Sequence, residues 1–107
     1  MEKKTLILIR GLSSSGKTDL AEIIVGDSED RQSLSVQEFF YSDSGEYNFD
    51  PSQLKPAHEW CVEACEDLLS EGHSVVVVHN CFTRKWEVDP YIELGNNFGY
   101  RLHVINL

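Results

Sequence analysis

The stretch TLILIRGLSSSGKT, residues 5–18, places a near-continuous apolar run directly before a glycine-rich loop. Such a run is typical of a strand in a parallel sheet that is buried on both faces. The loop matches the pattern G-x-x-x-x-G-K-[ST] at Gly11, Gly16, Lys17 and Thr18, and a helical pattern follows it at once. A phosphate-binding loop requires this order of strand, loop and helix. The stretch therefore predicts a nucleotide-binding P-loop with a Walker A motif.

Each part of this loop has a predicted role toward a bound phosphate. Backbone N–H groups between about Ser13 and Thr18 would converge on the β-phosphate, helped by the positive end of the helix dipole. Lys17 would neutralise the β and γ oxygens, and the Thr18 hydroxyl would hold Mg²⁺. The predicted cofactor-binding residues are Gly11, Ser13, Ser14, Ser15, Gly16, Lys17 and Thr18. The alternative interpretation is a structural glycine turn followed by an exposed lysine.

Strand and helix patterns alternate along the rest of the chain. Four valines in succession, in SVVVVHN, suit a buried central strand. The other predicted elements are a helix over residues 16–25, a weak strand over 33–36, a helix over about 51–71, a helix bent at Pro90 and a final strand in YRLHVINL. Alternation of this kind implies a parallel sheet with right-handed crossovers, in a three-layer α/β/α sandwich.

Length and composition limit the classes of protein. The 107 residues have the size of one domain, which we take as residues 1–107. The amino-terminal MEKKTLILIRG has too short an apolar run for a signal peptide or a membrane span. A net charge of −9 disfavours a broad nucleic-acid-binding face, which needs clustered basic residues. Three cysteines without a framework spacing fit reduced thiols, so we expect a cytoplasmic protein.

Three segments carry a resemblance to a known family: LIRGLSSSGKT, EFFYSDSGEYNFDPSQLKPAHEW and CFTRKWEVDPYIELGNNFGY. Through them the sequence resembles the small P-loop kinases of the polynucleotide-kinase and zeta-toxin type. Within that group it is most similar to the branch of AAA-type ATPases that resembles the Nedd-four-binding-protein-two-like proteins. The resemblance covers nearly the whole chain. It implies ATP binding, phosphoryl transfer to a nucleic-acid end or a small molecule, and the strand order 2-3-1-4.

The sequence departs from the pattern of that family at three places. Family members carry an acidic pair after the second strand, and its first Asp is the base, whereas this chain has Gln37 and Glu38. Gln cannot accept a proton, so Glu38 or Asp43 is the predicted substitute. His79 stands where the family has an Asp beside Mg²⁺, an ion that prefers oxygen ligands. The family's arginine-bearing lid has no counterpart here, which leaves Arg84 and Lys85, or an arginine supplied by another chain, as the candidates that contact the transferring phosphoryl group.

Weaker patterns support two interpretations each. The long connection QEFFYSDSGEYNFDP, residues 37–51, is rich in aromatic residues, and we call it the aromatic connection. Its rings could stack on a base or pack the loop onto the sheet. They belong to Phe39, Phe40, Tyr41, Tyr47 and Phe49. His58, Cys61 and Cys65 share one face of a predicted helix, where buried small thiols are a simpler explanation than a zinc site. Trp60 and Trp86 are predicted core residues.

Two functional hypotheses remain open from the sequence. The first is an ATP-binding protein of kinase type, in which Lys17 and Thr18 are essential. The second is a catalytically inactive relative that works by binding another protein. The last predicted strand has an apolar alternation at Leu102, Val104, Ile105 and Leu107 and would lie at a sheet edge with unpaired backbone groups, which favours pairing with a second copy or another protein.

Overall fold

The computed structural model describes residues 4–11, 16–42, 44–82 and 84–107. Four parallel strands form one sheet in the order β2-β3-β1-β4, which confirms the predicted order. The strands are β1 (Thr5–Arg10), β2 (Arg31–Leu34), β3 (Val75–His79) and β4 (Arg101–Asn106). The α-helices are α1 (Lys17–Val25), α2 (Leu54–Glu71) and α3 (Lys85–Asn97). Short 3₁₀ helices span Val36–Phe40 and Pro51–Gln53.

Alternate residues of β1 and β3 point into two apolar clusters on opposite faces of the sheet. On one face, Leu6 and Leu8 of β1 pack with the buried side of α2 and α3. On the other face, Ile9 and Val77 pack with Ala21 of α1. The two central strands are therefore buried on both faces, as their continuous apolar runs predict. The result is the predicted three-layer α/β/α arrangement, with the carboxyl ends of all four strands at one edge.

The second strand lies two residues earlier than the sequence predicts. We expected a strand over residues 33–36, whereas β2 spans Arg31–Leu34. Ser35 instead caps the first 3₁₀ helix, because its Oγ accepts a hydrogen bond from the Gln37 N–H and the Glu38 carboxylate accepts one from the Ser35 N–H. This capping box turns the chain at Ser35, so Val36 starts a helix and does not extend the strand.

The sequence predicts a bend at Pro90 and a core position for Trp86, and both residues lie in α3. Pro90 lies inside α3, and the helix continues past it to Asn97. Trp86 was predicted to lie in the core, and this is wrong, since 52% of the residue is exposed at the start of α3. Trp60 is partly buried and packs against the larger apolar cluster. No helix in the described part of the chain is long and apolar enough to cross a membrane.

Candidate functional site

The described part of the predicted phosphate-binding loop lies between β1 and α1. Gly16 has a φ of 92°, in the left-handed region that favours glycine, and among the described residues no atom beyond its chain neighbours lies within 4 Å of the point where a Cβ would stand. Lys17 begins α1, and its Nζ donates a hydrogen bond of 2.8 Å to the Gly11 carbonyl. Thr18 follows on the first turn of α1. The other predicted loop residues, Ser13, Ser14 and Ser15, lie outside the described residues.

A cavity of about 640 Å³ opens beside Lys17 at the carboxyl edge of the sheet. Its walls come from the start of α1, the segment after β2, the aromatic connection, the first turns of α2, the end of β3 and the first turn of α3. Ligands of open parallel sheets bind outside the carboxyl ends of the strands. The volume lies within the range of roughly 300 to 1,000 Å³ that is usual for small-molecule sites. Lys17, Thr18 and the cavity could therefore hold a nucleotide with its Mg²⁺ ion.

The Asn80 side chain, at the end of β3, contacts residues after β2 and on α2. Its Oδ1 accepts a hydrogen bond of 2.9 Å from the Val36 N–H and one of 3.4 Å from the Ser35 hydroxyl. Its Nδ2 lies 4.0 Å from the Cys61 sulfur on α2. Only 6% of Asn80 is exposed. This amide therefore holds the ends of β2 and β3 and the first half of α2 in one arrangement.

Gln37 and Glu38, which stand where the resemblance predicts an acidic pair, point to different places. Gln37 lines the cavity, so the position of the usual base is occupied by an amide. Glu38 accepts a hydrogen bond of 2.8 Å from the Ser35 N–H, which completes the capping box. Glu38 is not among the described residues that line the cavity. Asp43, the second predicted substitute, lies outside the described residues.

His79 lies at the end of β3, opposite Ile9 in the parallel register and close to the start of the phosphate-binding loop. Its side chain lines the cavity. Burial lowers the pKa of His79, and the nearby Lys17 ammonium lowers it further. The imidazole is therefore neutral at physiological pH.

His58 and Glu87 also line the cavity, from α2 and α3 respectively. Glu87 is only 8% exposed. Burial lowers the pKa of His58, while the Glu87 charge partly opposes that shift. We did not predict either residue as catalytic from the sequence. The available signal was their position near the start of the helices that follow β2 and β3, where side chains reach the carboxyl edge of a parallel sheet.

The aromatic connection contributes both to packing and to the cavity. Phe40 is buried, and its ring contacts those of Tyr47 and Phe49, with centroids 6.4 Å and 5.1 Å away. All three rings line the cavity, although Tyr47 and Phe49 are about half exposed. Phe39 packs on Trp60. The rings thus pack the connection onto the fold and also offer apolar surface to a ligand.

Arg84 caps the start of α3 and is exposed. Its carbonyl accepts a hydrogen bond of 3.1 Å from the Glu87 N–H. Neither Arg84 nor the exposed Lys85 is among the described residues that line the cavity. Within the described ranges, no group of three or more His, Cys, Asp or Glu side chains could hold a metal ion. Cys61 and Cys65 lie in the core, where burial raises their thiol pKa values to about 11 and about 12.

Comparison with solved structures shows that the chain has a kinase-like P-loop fold. The APS kinase CysC of Mycobacterium tuberculosis matches with a TM-score of 0.70 and 13% identity, over 99% of this chain and 76% of that one. A proposed kinase from Chloroflexus aurantiacus matches with a TM-score of 0.74 and 17% identity, over 99% of this chain and 60% of that one. A chain of the Pnkp1/Rnl/Hen1 complex matches with a TM-score of 0.73 and 13% identity, over 100% of this chain and 37% of that one.

The sequence is also similar to a human protein. NEDD4-binding protein 2 is 33% identical over 97 residues, which are 91% of this chain. The chain spans only 5% of the length of that protein. No protein-family model matches the sequence.

Proposed function

We propose that this protein binds ATP with Mg²⁺ at the P-loop and transfers the terminal phosphoryl group to a hydroxyl acceptor. The observation that carries the proposal is the cavity beside Lys17, at the carboxyl edge of a kinase-like sheet. The similarity to human NEDD4-binding protein 2 supports it, and we propose that the chain belongs to that branch of P-loop kinases. The three free cysteines are typical of a reducing compartment, so we place the protein in the cytoplasm in this proposal.

Lys17 is the residue on which binding depends in this proposal. Its ammonium would leave the Gly11 carbonyl and donate to the β and γ oxygens, exchanging a neutral acceptor for a charged one. The Thr18 hydroxyl would hold the Mg²⁺ ion, which neutralises the phosphate charge when bound. Tyr47 and Phe49 would cover the apolar part of the ligand. The sequence candidates for the remaining catalytic roles are Glu38 or Asp43 as base and Arg84 as the cationic group.

A phosphoryl-transfer assay with radiolabelled ATP tests this proposal. The acceptors are 5′-hydroxyl oligonucleotides and small hydroxyl compounds, and Lys17→Ala is the control for contaminating kinases. We expect labelled product with the wild-type protein and none with the variant. If neither protein labels any acceptor, phosphoryl transfer is refuted.

A second candidate function is protein binding by a catalytically inactive relative. Two features favour it: the resemblance places Gln37 where similar kinases have their base, and Val104 in β4 and Leu107 just after it are 43% and 50% exposed. An edge strand with exposed apolar side chains can pair with a strand of another chain. Light scattering at micromolar concentration tests the homodimer. A monomeric mass would exclude it and leave a different protein as the partner.

A further inference from the structure

The phosphoryl-transfer reaction proposed above requires a group that accepts the proton of the acceptor hydroxyl. Gln37 faces the cavity but cannot take a proton, and the Glu38 carboxylate is engaged in the capping box. Four described cavity-lining side chains could accept one: Asp19, His58, His79 and Glu87. Asp19 is exposed next to Thr18, and His79 lies beside the Lys17 ammonium, so both are at the phosphate end.

His58 and Glu87 lie together on the wall of the cavity across from Lys17, at the junction of α2 and α3, where an acceptor hydroxyl can lie between them and the γ-phosphate. Each helix returns from the carboxyl edge of the parallel sheet, so the two helices run in the same direction. The Tyr91 hydroxyl of α3 lies beside the Cys61 thiol of α2, so these two residues stand at the same height where the two helices pack against each other. His58 precedes Cys61 by one turn and Glu87 precedes Tyr91 by one turn, so both lie one turn nearer the cavity.

The surroundings of His58 keep its ring oriented and neutral. The Trp86 ring meets it edge to face, with centroids 5.2 Å apart. The Nδ1 atom is buried and has no hydrogen-bond partner among the described residues, so we take Nε2 as the nitrogen that a ligand can reach. Burial lowers the pKa of His58, and a neutral imidazole is the form that accepts a proton. The negative charge of Glu87 stabilises the positively charged His58 ring once that ring has taken a proton.

We propose that His58 is the general base of this protein and that Glu87 stabilises its protonated form. The acceptor hydroxyl oxygen attacks the γ-phosphorus and forms the new P–O bond, while its proton passes to Nε2 of His58. The bond between the γ-phosphorus and the β–γ bridging oxygen breaks, and ADP leaves with that electron pair. The proton on His58 then passes to solvent. This role rests on the proposed function, and it replaces Glu38 and Asp43 as the base.

Several charged or titratable groups line the same cavity walls as His58. On its own helix they are Lys55 and Glu59, and on α3 the group is Glu87. Across the cavity they are Lys17 and Asp19 of α1, with His79 and Cys81 at the end of β3. Glu87 is the group whose charge raises the His58 pKa against the effect of burial. Removing that charge should therefore lower the His58 pKa.

The test compares His58→Gln, Glu87→Gln and Asp43→Asn with the wild-type protein, and Glu66→Gln on the exposed side of α2 is the control. ATP affinity and the transfer rate to a 5′-hydroxyl oligonucleotide are measured between about pH 5 and about pH 9. The wild-type rate should rise with pH through the His58 pKa and then level off. His58→Gln should lower kcat about 10²- to 10⁴-fold and remove that rise, with the ATP Kd changed less than about threefold.

Glu87→Gln should move the rise to lower pH, and NMR titration of the His58 ring should show the same shift without any turnover. Transfer that survives His58→Gln with an unchanged pH profile would overturn the role of His58 alone. If Asp43→Asn loses transfer activity while His58→Gln keeps it, the role of His58 is also overturned, and the base is Asp43. A wild-type protein that binds ATP but labels no acceptor would refute phosphoryl transfer, and with it the role of His58.

Discussion

Replacement of Asn80 by alanine should destabilise the whole fold and disturb the cavity. The Asn80 side chain is buried and accepts two hydrogen bonds at the ends of β2 and β3, from the Val36 N–H and the Ser35 hydroxyl. In Asn80→Ala the Val36 N–H loses its partner inside the protein. The Ser35 hydroxyl can rotate toward another acceptor, so the Val36 N–H carries most of the cost.

The expected magnitude follows from these contacts. A buried donor left without a partner costs about 1–3 kcal/mol, since it gives up its water and gains nothing in return. The space left by the amide adds a cavity cost of about 1 kcal/mol, because the neighbouring side chains close it only in part. We therefore expect Asn80→Ala to lower the free energy of unfolding by about 2–4 kcal/mol.

Urea denaturation followed by circular dichroism measures this loss. The matched control is Asn97→Ala, because Asn97 is exposed at the end of α3 and its removal should change stability by less than about 0.5 kcal/mol. An Asn80→Ala protein as stable as the control would show that the amide does not hold these strand ends together. The reasoning about the cavity walls would then be wrong.

Three further predictions concern the fold and its titratable groups. Gly72→Ala should lower the free energy of unfolding by about 1–2 kcal/mol, because Gly72 has a φ of 84°. Gly95→Ala inside α3 should leave that free energy unchanged or raise it by up to about 1 kcal/mol. Thermal unfolding of the two variants compares these effects. Ellman's reagent should titrate only Cys81 in the native protein and all three thiols in denaturant, because burial raises the pKa of the other two. Burial lowers the pKa values of His58 and His79, so the unfolded chain binds more protons and stability should fall as pH drops below about 6.5. Urea midpoints at several pH values should show this fall reduced in the His58→Gln, His79→Gln double variant.

The parts of the fold that depend on long apolar patterns could be predicted from the sequence. The valine strand and the run before Gly11 are buried on both faces, so their patterns are continuous and unambiguous. The edge strand β2 was misplaced because RQSL has little apolar signal, and the capping box at Ser35 fixed its end. Trp86 is exposed because it lies on the side of α3 that faces the His58 ring and solvent, which periodicity could not reveal.

The candidate site was predictable only where the residues are adjacent in sequence. Lys17 and Thr18 belong to a local motif, and the cavity lies beside them. Asn80, His58 and Glu87 are far apart along the chain and meet only because α2 and α3 return from the same edge of the sheet. The sequence pattern places these residues near the carboxyl edge of the sheet at most and gives no signal that they line one cavity.

Calorimetric titration of ATP and Mg²⁺ into the wild-type protein and into Lys17→Ala tests the central claim most directly. Loss of charge-assisted hydrogen bonds from the ammonium to the phosphates should weaken binding at least about tenfold. Lys55→Ala, on the exposed first turn of α2, removes the same charge elsewhere and should leave the affinity near that of the wild-type protein. Equal affinities for wild type and Lys17→Ala, or no binding by either protein, would contradict the claim that this cavity holds a nucleotide.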